Sequence, residues 1–97
     1  MNDIKFDWDK DKAVANRKKH GVSFEEAVTV FYDEDAIEFD DPDHSQKEDR
    51  FLIIGLSFRA KVLIVSHCVR ERGSLIRIIS ARKATRHEEN KYLEEKP

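Results

Sequence analysis

The chain has 97 residues, 39% charged and 39% apolar, with a formal net charge of −2, which suits one small domain able to bury roughly 60–70% of its unfolded surface. No run approaches the roughly 20 apolar residues that span a bilayer, and the start, Met1 to Trp8, lacks the basic and then apolar segments of a secretory signal. The single cysteine, Cys68, excludes an internal disulfide and a paired-thiol redox motif, so a cytoplasmic protein with one domain over residues 1–97 is expected.

Charge is distributed unevenly. Residues 1–50 carry 8 Lys+Arg against 15 Asp+Glu, and residues 51–97 carry 10 against 5. Either the halves average out in three dimensions, or the second half builds a basic, anion-binding surface.

In chain order, Ile4 to Trp8 alternates, with Ile4, Phe6 and Trp8 on one side and Lys5 and Asp7 on the other, which predicts a short strand with one buried face. Asp9 caps a predicted helix running to His20, and Gly21 supplies the left-handed residue that ends it. On that helix Asn16, Lys19 and His20 stand at i, i+3 and i+4 and share a face. Ser23 opens a second helix and Glu26 completes a capping box. Phe24, Ala27, Val28 and Phe31 recur at helical spacing, the clearest amphipathic signal in the chain.

Residues 33–49 hold nine acids and one lysine; Ala36 to Phe39 still reads as a short exposed strand, followed by turn chemistry over Asp41-Pro42-Asp43-His44-Ser45. Three strands follow, Phe51 to Ser57, Val62 to Arg70 and Leu75 to Ala81, joined by connections short enough for hairpins. Their dense Ile, Leu and Val content says both faces of the middle strands are largely covered. Thr85, with Glu88 at the capping-box position, starts a last helix through about Leu93, gripped only by Ala84, Tyr92 and Leu93 and so expected to be the least firmly held element. The order β-α-α-β-β-β-β-α is α+β, with helices laid on an antiparallel sheet.

Parity decides which side chains share a surface. If the connection between Arg70 and Leu75 is an even-numbered loop, Arg70 faces Leu75 and Arg77 faces Cys68, so both arginines fall on one face while His67 falls on the other with Val65, Val69, Ile76 and Ile78. An odd loop or a bulge would reverse this. Guanidinium forks match phosphate and carboxylate oxygens. Arg70, Arg77 and Arg82 therefore either bridge to the acids of residues 33–49 or form an anion site, and their convergence within thirteen residues favours the site.

Among the histidines, His67 reads as a satisfied core residue, His20 as a helix-end residue favoured by the dipole, His44 as an exposed turn residue and His87 as exposed on the last helix. No pair has a metal-ligand spacing, and no glycine-rich phosphate loop, nucleophile elbow or HExxH is present.

Several blocks taken together resemble the BrnT family of toxins from type II toxin–antitoxin modules. They are Phe6-Asp7-Trp8-Asp9; Asn16 with Lys19-His20-Gly21-Val22-Ser23-Phe24-Glu25-Glu26-Ala27; Val30-Phe31; Asp43-His44-Ser45 with Glu48 and Arg50; Ile54-Gly55; and Arg77-Ile78-Ile79-Ser80-Ala81-Arg82-Lys83-Ala84. They run collinearly through nearly the whole chain. Tyr32-Asp33-Glu34, without the usual Asp-Pro, and the bulky hairpin Phe58-Arg59-Ala60-Lys61 depart from the family pattern.

The resemblance implies a RelE-like fold with a curved antiparallel sheet packed by helices. It also implies cleavage of RNA without metal or cofactor, arresting translation. The implied partner is a BrnA-like ribbon-helix-helix antitoxin, through which the complex, a heterotetramer, binds its promoter DNA; no membrane is involved. RNA brings its own nucleophile, the 2′-hydroxyl, so such an enzyme holds the phosphate, moves protons and stabilises the transition state. The catalytic candidates are Arg70 and Arg77 as phosphate clamp and Lys19 and His20 for proton transfer or charge stabilisation. Arg82, His44 and Trp8 are the substrate-binding candidates, the tryptophan by base stacking. The alternative is a non-catalytic module whose arginines hold an antitoxin or acidic partner and which acts only as co-repressor.

Overall fold

Three helix starts are written in local side-chain chemistry. In the computed structural model, which describes residues 3–41 and 50–96, the Asp9 carboxylate accepts from the amides of Asp11 and Lys12 to open α1 (Lys10–His20), which Gly21 closes at φ 71°. The Ser23 hydroxyl accepts from the Glu26 amide to open α2 (Phe24–Val30). Thr85 and Glu88 form a reciprocal capping box at the start of α3 (Arg86–Glu95). Only half of the box expected at α2 forms. The Glu26 side chain, 4% exposed, turns inward and accepts from the Ser57 hydroxyl at 2.7 Å, so a tertiary donor takes the place of the cap amide.

Five strands, β1 (Lys5–Asp7), β2 (Ile37–Asp40), β3 (Arg50–Leu56), β4 (Val62–Arg70) and β5 (Leu75–Lys83), make one sheet in the order β1-β5-β4-β3-β2. The α+β class and the element order are as expected. One pairing differs, since β1 runs parallel to β5 in an otherwise antiparallel sheet. A three-residue strand buries the same alternate side chain in either polarity, so its direction is set by where the chain enters and not by its pattern.

Neighbouring strand residues point to opposite faces and divide the core in two. One face carries Ile53, Leu63, Val65, Ile76, Ile78 and Ala81 against Val22 and, from α2, Phe24, Ala27 and Val30. The other carries Ile54 and Ile64 against Tyr92 of α3. Tyr92 is 1% exposed, and its hydroxyl donates to Asp33 Oδ2 at 2.6 Å, so α3 is anchored by one large ring while Leu93 stays exposed. Burial, with the Asp33 carboxylate beside it, pushes the Tyr92 hydroxyl well above the usual phenol range. Asp33 also accepts from the Leu56 and Asp35 amides and, although burial opposes it, its carboxyl is held below the usual range. Gly55 is what allows this junction to close. A Cβ there would lie 3.0 Å from Ala36 Cβ, 3.0 Å from Val30 Cγ1 and 3.1 Å from Asp33 Oδ2.

Asn16 performs the third long-range tie. Its side-chain amide donates to the Ala81 carbonyl at 2.8 Å and accepts from the Ala81 amide at 3.0 Å. It thereby acts as a surrogate strand on the edge of β5 that β1 is too short to cover. Among the described residues, no helix is long and apolar enough to cross a membrane.

Candidate functional site

The expected register of the β4–β5 hairpin is the one observed near its turn: Arg70 pairs with Leu75, Cys68 with Arg77, and His67 with Ile78. Paired residues share a face, so Arg70 and Arg77 lie together, on the side opposite His67 and Ile78. Beyond this point the register shifts, Ser66 pairing with Ser80 and Ile64 with Arg82, which leaves Ile79 as an extra residue. That bulge has a chemical consequence. Without it Arg82 would pair with Leu63 and point into the main core; with it, Arg82 and Ser80 join Arg77 and Arg70 on the α3 side.

Extending the register across β1 and β3 gives one row, Asp7, Arg77, Cys68 and Arg50, on four adjacent strands. At strand spacings of about 4.8 Å the row spans roughly 15 Å. Lys5 and Arg70 belong to the next row, with Leu75 between them. Arg77 Nη1 stands 3.3 Å from Asp7 Oδ2. Asp7 Oδ1 is buried and has no hydrogen-bond partner among the described residues. Asp7 stands two residues before Asp9, the cap of α1, so its contact with Arg77 sets this guanidinium near the start of that helix; the Asp9 carboxyl is lowered chiefly by the Lys12 and Asp11 amides it caps. A sheet face on which Lys5, Arg50, Arg70 and Arg77 stand in two adjacent rows with Asp7 can hold a phosphate by charge-assisted, forked hydrogen bonds.

The other candidates fall elsewhere. Arg82 donates from Nη1 and Nη2 to the two Glu88 oxygens at 2.8 and 3.0 Å. This bond holds the Glu88 carboxyl down to about 2 and raises Arg82 itself. Arg82 therefore ties β5 to the first turn of α3, the bridging reading with a different acid from those expected. Trp8 is half-buried, edge-on to Phe24 at 5.9 Å, and belongs to the main core. Lys19 is exposed and His20 half-buried at the C-terminal end of α1. An eleven-residue helix, about 16 Å long, lies between them and the Asp9 cap near Arg77. No hydrogen bond or ion pair among the described residues joins either to an arginine of the row. His44 lies outside the described residues. Among the described residues no group of three or more His, Cys, Asp or Glu could hold a metal ion.

Asp7, Lys5 and Arg50 are not among the catalytic or binding candidates that the sequence points to. Alternation puts Lys5 and Asp7 on the outward side of β1, but only the parallel docking of β1 on β5 places Asp7 opposite Arg77.

A family model described as ribonuclease toxin, BrnT, of type II toxin–antitoxin system matches residues 8–88. The fold is similar to the 1.1 Å crystal structure of the Brucella abortus ribonuclease toxin BrnT, with a TM-score of 0.66 and 25% sequence identity over 86% of this chain and 99% of that one. No curated protein sequence matches the chain.

Proposed function

Since this chain belongs to the BrnT family of ribonuclease toxins of type II toxin–antitoxin systems, we propose that it cleaves RNA on the arginine-bearing face of its sheet. The observation that carries this reading is the placement of Arg77 and Arg70 on one face, with Asp7 against Arg77 at 3.3 Å. In this mechanism the two guanidinium groups hold the scissile phosphate and take up the charge that grows on it as the 2′-hydroxyl attacks. Asp7 fixes the Arg77 fork and accepts the hydroxyl proton; the P–O5′ bond breaks to leave a 2′,3′-cyclic phosphate, and the departing 5′-oxygen takes a proton from water, so no metal ion is needed. Lys19 and His20, at the far end of α1, hold a flanking part of the RNA and do not reach the same phosphate. Arg82 keeps α3 in place and serves the site indirectly.

Family membership implies an antitoxin partner. We propose that this antitoxin is a BrnA-like ribbon-helix-helix protein and that the complex is a heterotetramer, because ribbon-helix-helix domains dimerise to read DNA. The toxin would act in the cytoplasm, on RNA engaged in translation.

Incubation of the purified protein with RNA in excess chelator tests the activity. Shortened RNA is expected, and it should be lost in Arg77→Gln and suppressed by the co-purified antitoxin. Intact RNA from well-folded protein, with and without ribosomes, refutes the reading.

A further inference from the structure

On the opposite face, at the hairpin end of the sheet, His67 is 0% exposed and takes no part in the phosphate clamp. Phe31 packs edge-on against it at 4.8 Å and Phe51 lies tilted at 6.0 Å, a setting a phenyl ring would fill equally well. Burying a polar ring is costly unless its nitrogens are met. Here Nδ1 faces the Val65 carbonyl at 3.3 Å and Nε2 faces Glu38 Oε2 at 3.1 Å. Glu38 stands on the edge strand β2 with its side chain 52% exposed, where a glutamate would otherwise swing freely. The buried ring thus fixes one carboxylate at the sheet edge.

That carboxylate borders a groove of about 480 Å³, lined also by Phe51, Val69, Arg70 and Arg72. Its far wall is a turn in which Glu71, Arg72 and Gly73 all have positive φ, at 51°, 56° and 93°. Left-handed backbone at two consecutive non-glycine residues is strained, and such strain concentrates where a chain is shaped for a ligand.

We propose that this groove is a nucleobase subsite selecting guanine, with Glu38 as the specificity-determining residue and His67 as its positioning residue. The proposal rests on the ribonuclease reading above. An ionised carboxylate only accepts hydrogen bonds, and its two oxygens offer about four lone-pair sites, so Oε2 can keep His67 and still receive a ligand. Guanine alone among the bases presents two adjacent donors, N1–H and the N2 amine. Cytosine and adenine set a ring acceptor beside their amine, and uracil flanks its one donor with carbonyls. Phe51 supplies an aromatic face for the base. Arg70, at the rim of the groove and on the clamp face by register, leads the backbone from this base to the phosphate held by Arg77.

Titration with the four 3′-mononucleotides, followed by NMR shifts, and mapping of cleavage sites on a mixed-sequence RNA test the idea. 3′-GMP is expected to bind roughly ten- to a hundredfold tighter than the others, the worth of one good bidentate base contact, and cuts should fall beside guanines. Glu38→Gln replaces one acceptor by a donor. It should abolish the preference while changing affinity for the other three nucleotides less than about threefold. His67→Phe keeps the packing and should reduce the preference with little loss of cleavage rate at saturating RNA. Equal affinity for the four nucleotides, or a guanine preference that survives Glu38→Gln, overturns the subsite. RNA cleavage without base preference would remove the subsite and leave the ribonuclease; selective 3′-GMP binding without any cleavage would do the reverse.

Discussion

Replacing Arg77 by glutamine separates what this residue does for the fold from what it does for the reaction. In the folded protein its recorded partner is Asp7, one contact at 3.3 Å between side chains 35% and 46% exposed. Pairs this open to solvent contribute about 0.2–1 kcal/mol, and 1 kcal/mol shifts the melting temperature of a domain this size by roughly 4–8 °C. The variant should therefore melt within about 8 °C of wild type. In the reaction Arg77 is asked to meet charge developing on a phosphate, and removal of one such preorganised donor costs about 3–4 kcal/mol, a factor of 10² to 10³ in rate. Initial rates on a fluorescently quenched RNA oligonucleotide, with melts on the same samples, give both numbers. Arg77→Lys should fall between, keeping the charge and losing the fork. A rate within fivefold of wild type, or a fall in melting temperature large enough to unfold the sample during the assay, would refute the assignment.

Glu88→Gln should cost about 1 kcal/mol at neutral pH, a figure reduced for the exposure of both partners, 41% for Arg82 and 28% for Glu88. Because the folded carboxyl sits at about 2 and the ordinary value is 4.5, that stability is present above pH 4.5 and lost as pH falls through about 2. Melts of wild type and variant should accordingly converge on acidification, and a gap that stays constant to pH 2 contradicts the pairing. Asn16→Ala strands the buried Ala81 amide and carbonyl and should cost about 2–5 kcal/mol in urea denaturation, whereas a loss under 1 kcal/mol means that another group covers that edge. Gly55→Ala forces a methyl against Val30, Ala36 and Asp33 and should cost about 1–3 kcal/mol; an unchanged denaturation midpoint would show that the junction can relax.

How much of this was legible in the sequence depended on how local the physics was. The caps at Asp9, Ser23 and Thr85 are settled within four residues, and each forms. The hairpin register near Arg70 follows from the four-residue connection, and with it the shared face of Arg70 and Arg77. The bulge at Ile79 does not follow, because it answers to strand twist and to contacts on both faces at once. Tyr92 reads locally as weak grip for α3, yet its partner Asp33 lies 59 residues earlier in the chain. Glu26 matched a local rule and served a distant serine instead. The role of Asp7 is hidden for a similar reason, since it arises from a strand partner about 70 residues away.

The bulge in β5 has a bearing on how the chain finds its fold. On the turn side of Ile79 paired residue numbers add to one total, and past it to the next, so no single sliding motion can satisfy both halves of the hairpin. A slip of one residue near the turn would bury Arg70 and Arg77 and expose Ile76 and Ile78. A slip in the far half would drive Arg82 into the core and take it from Glu88. The longest strand pair among the described residues is thus a two-tooth key, and a misaligned hairpin meets an energetic barrier at whichever half is wrong. The alignment that sets the clamp arginines outward is the one in which every tooth fits.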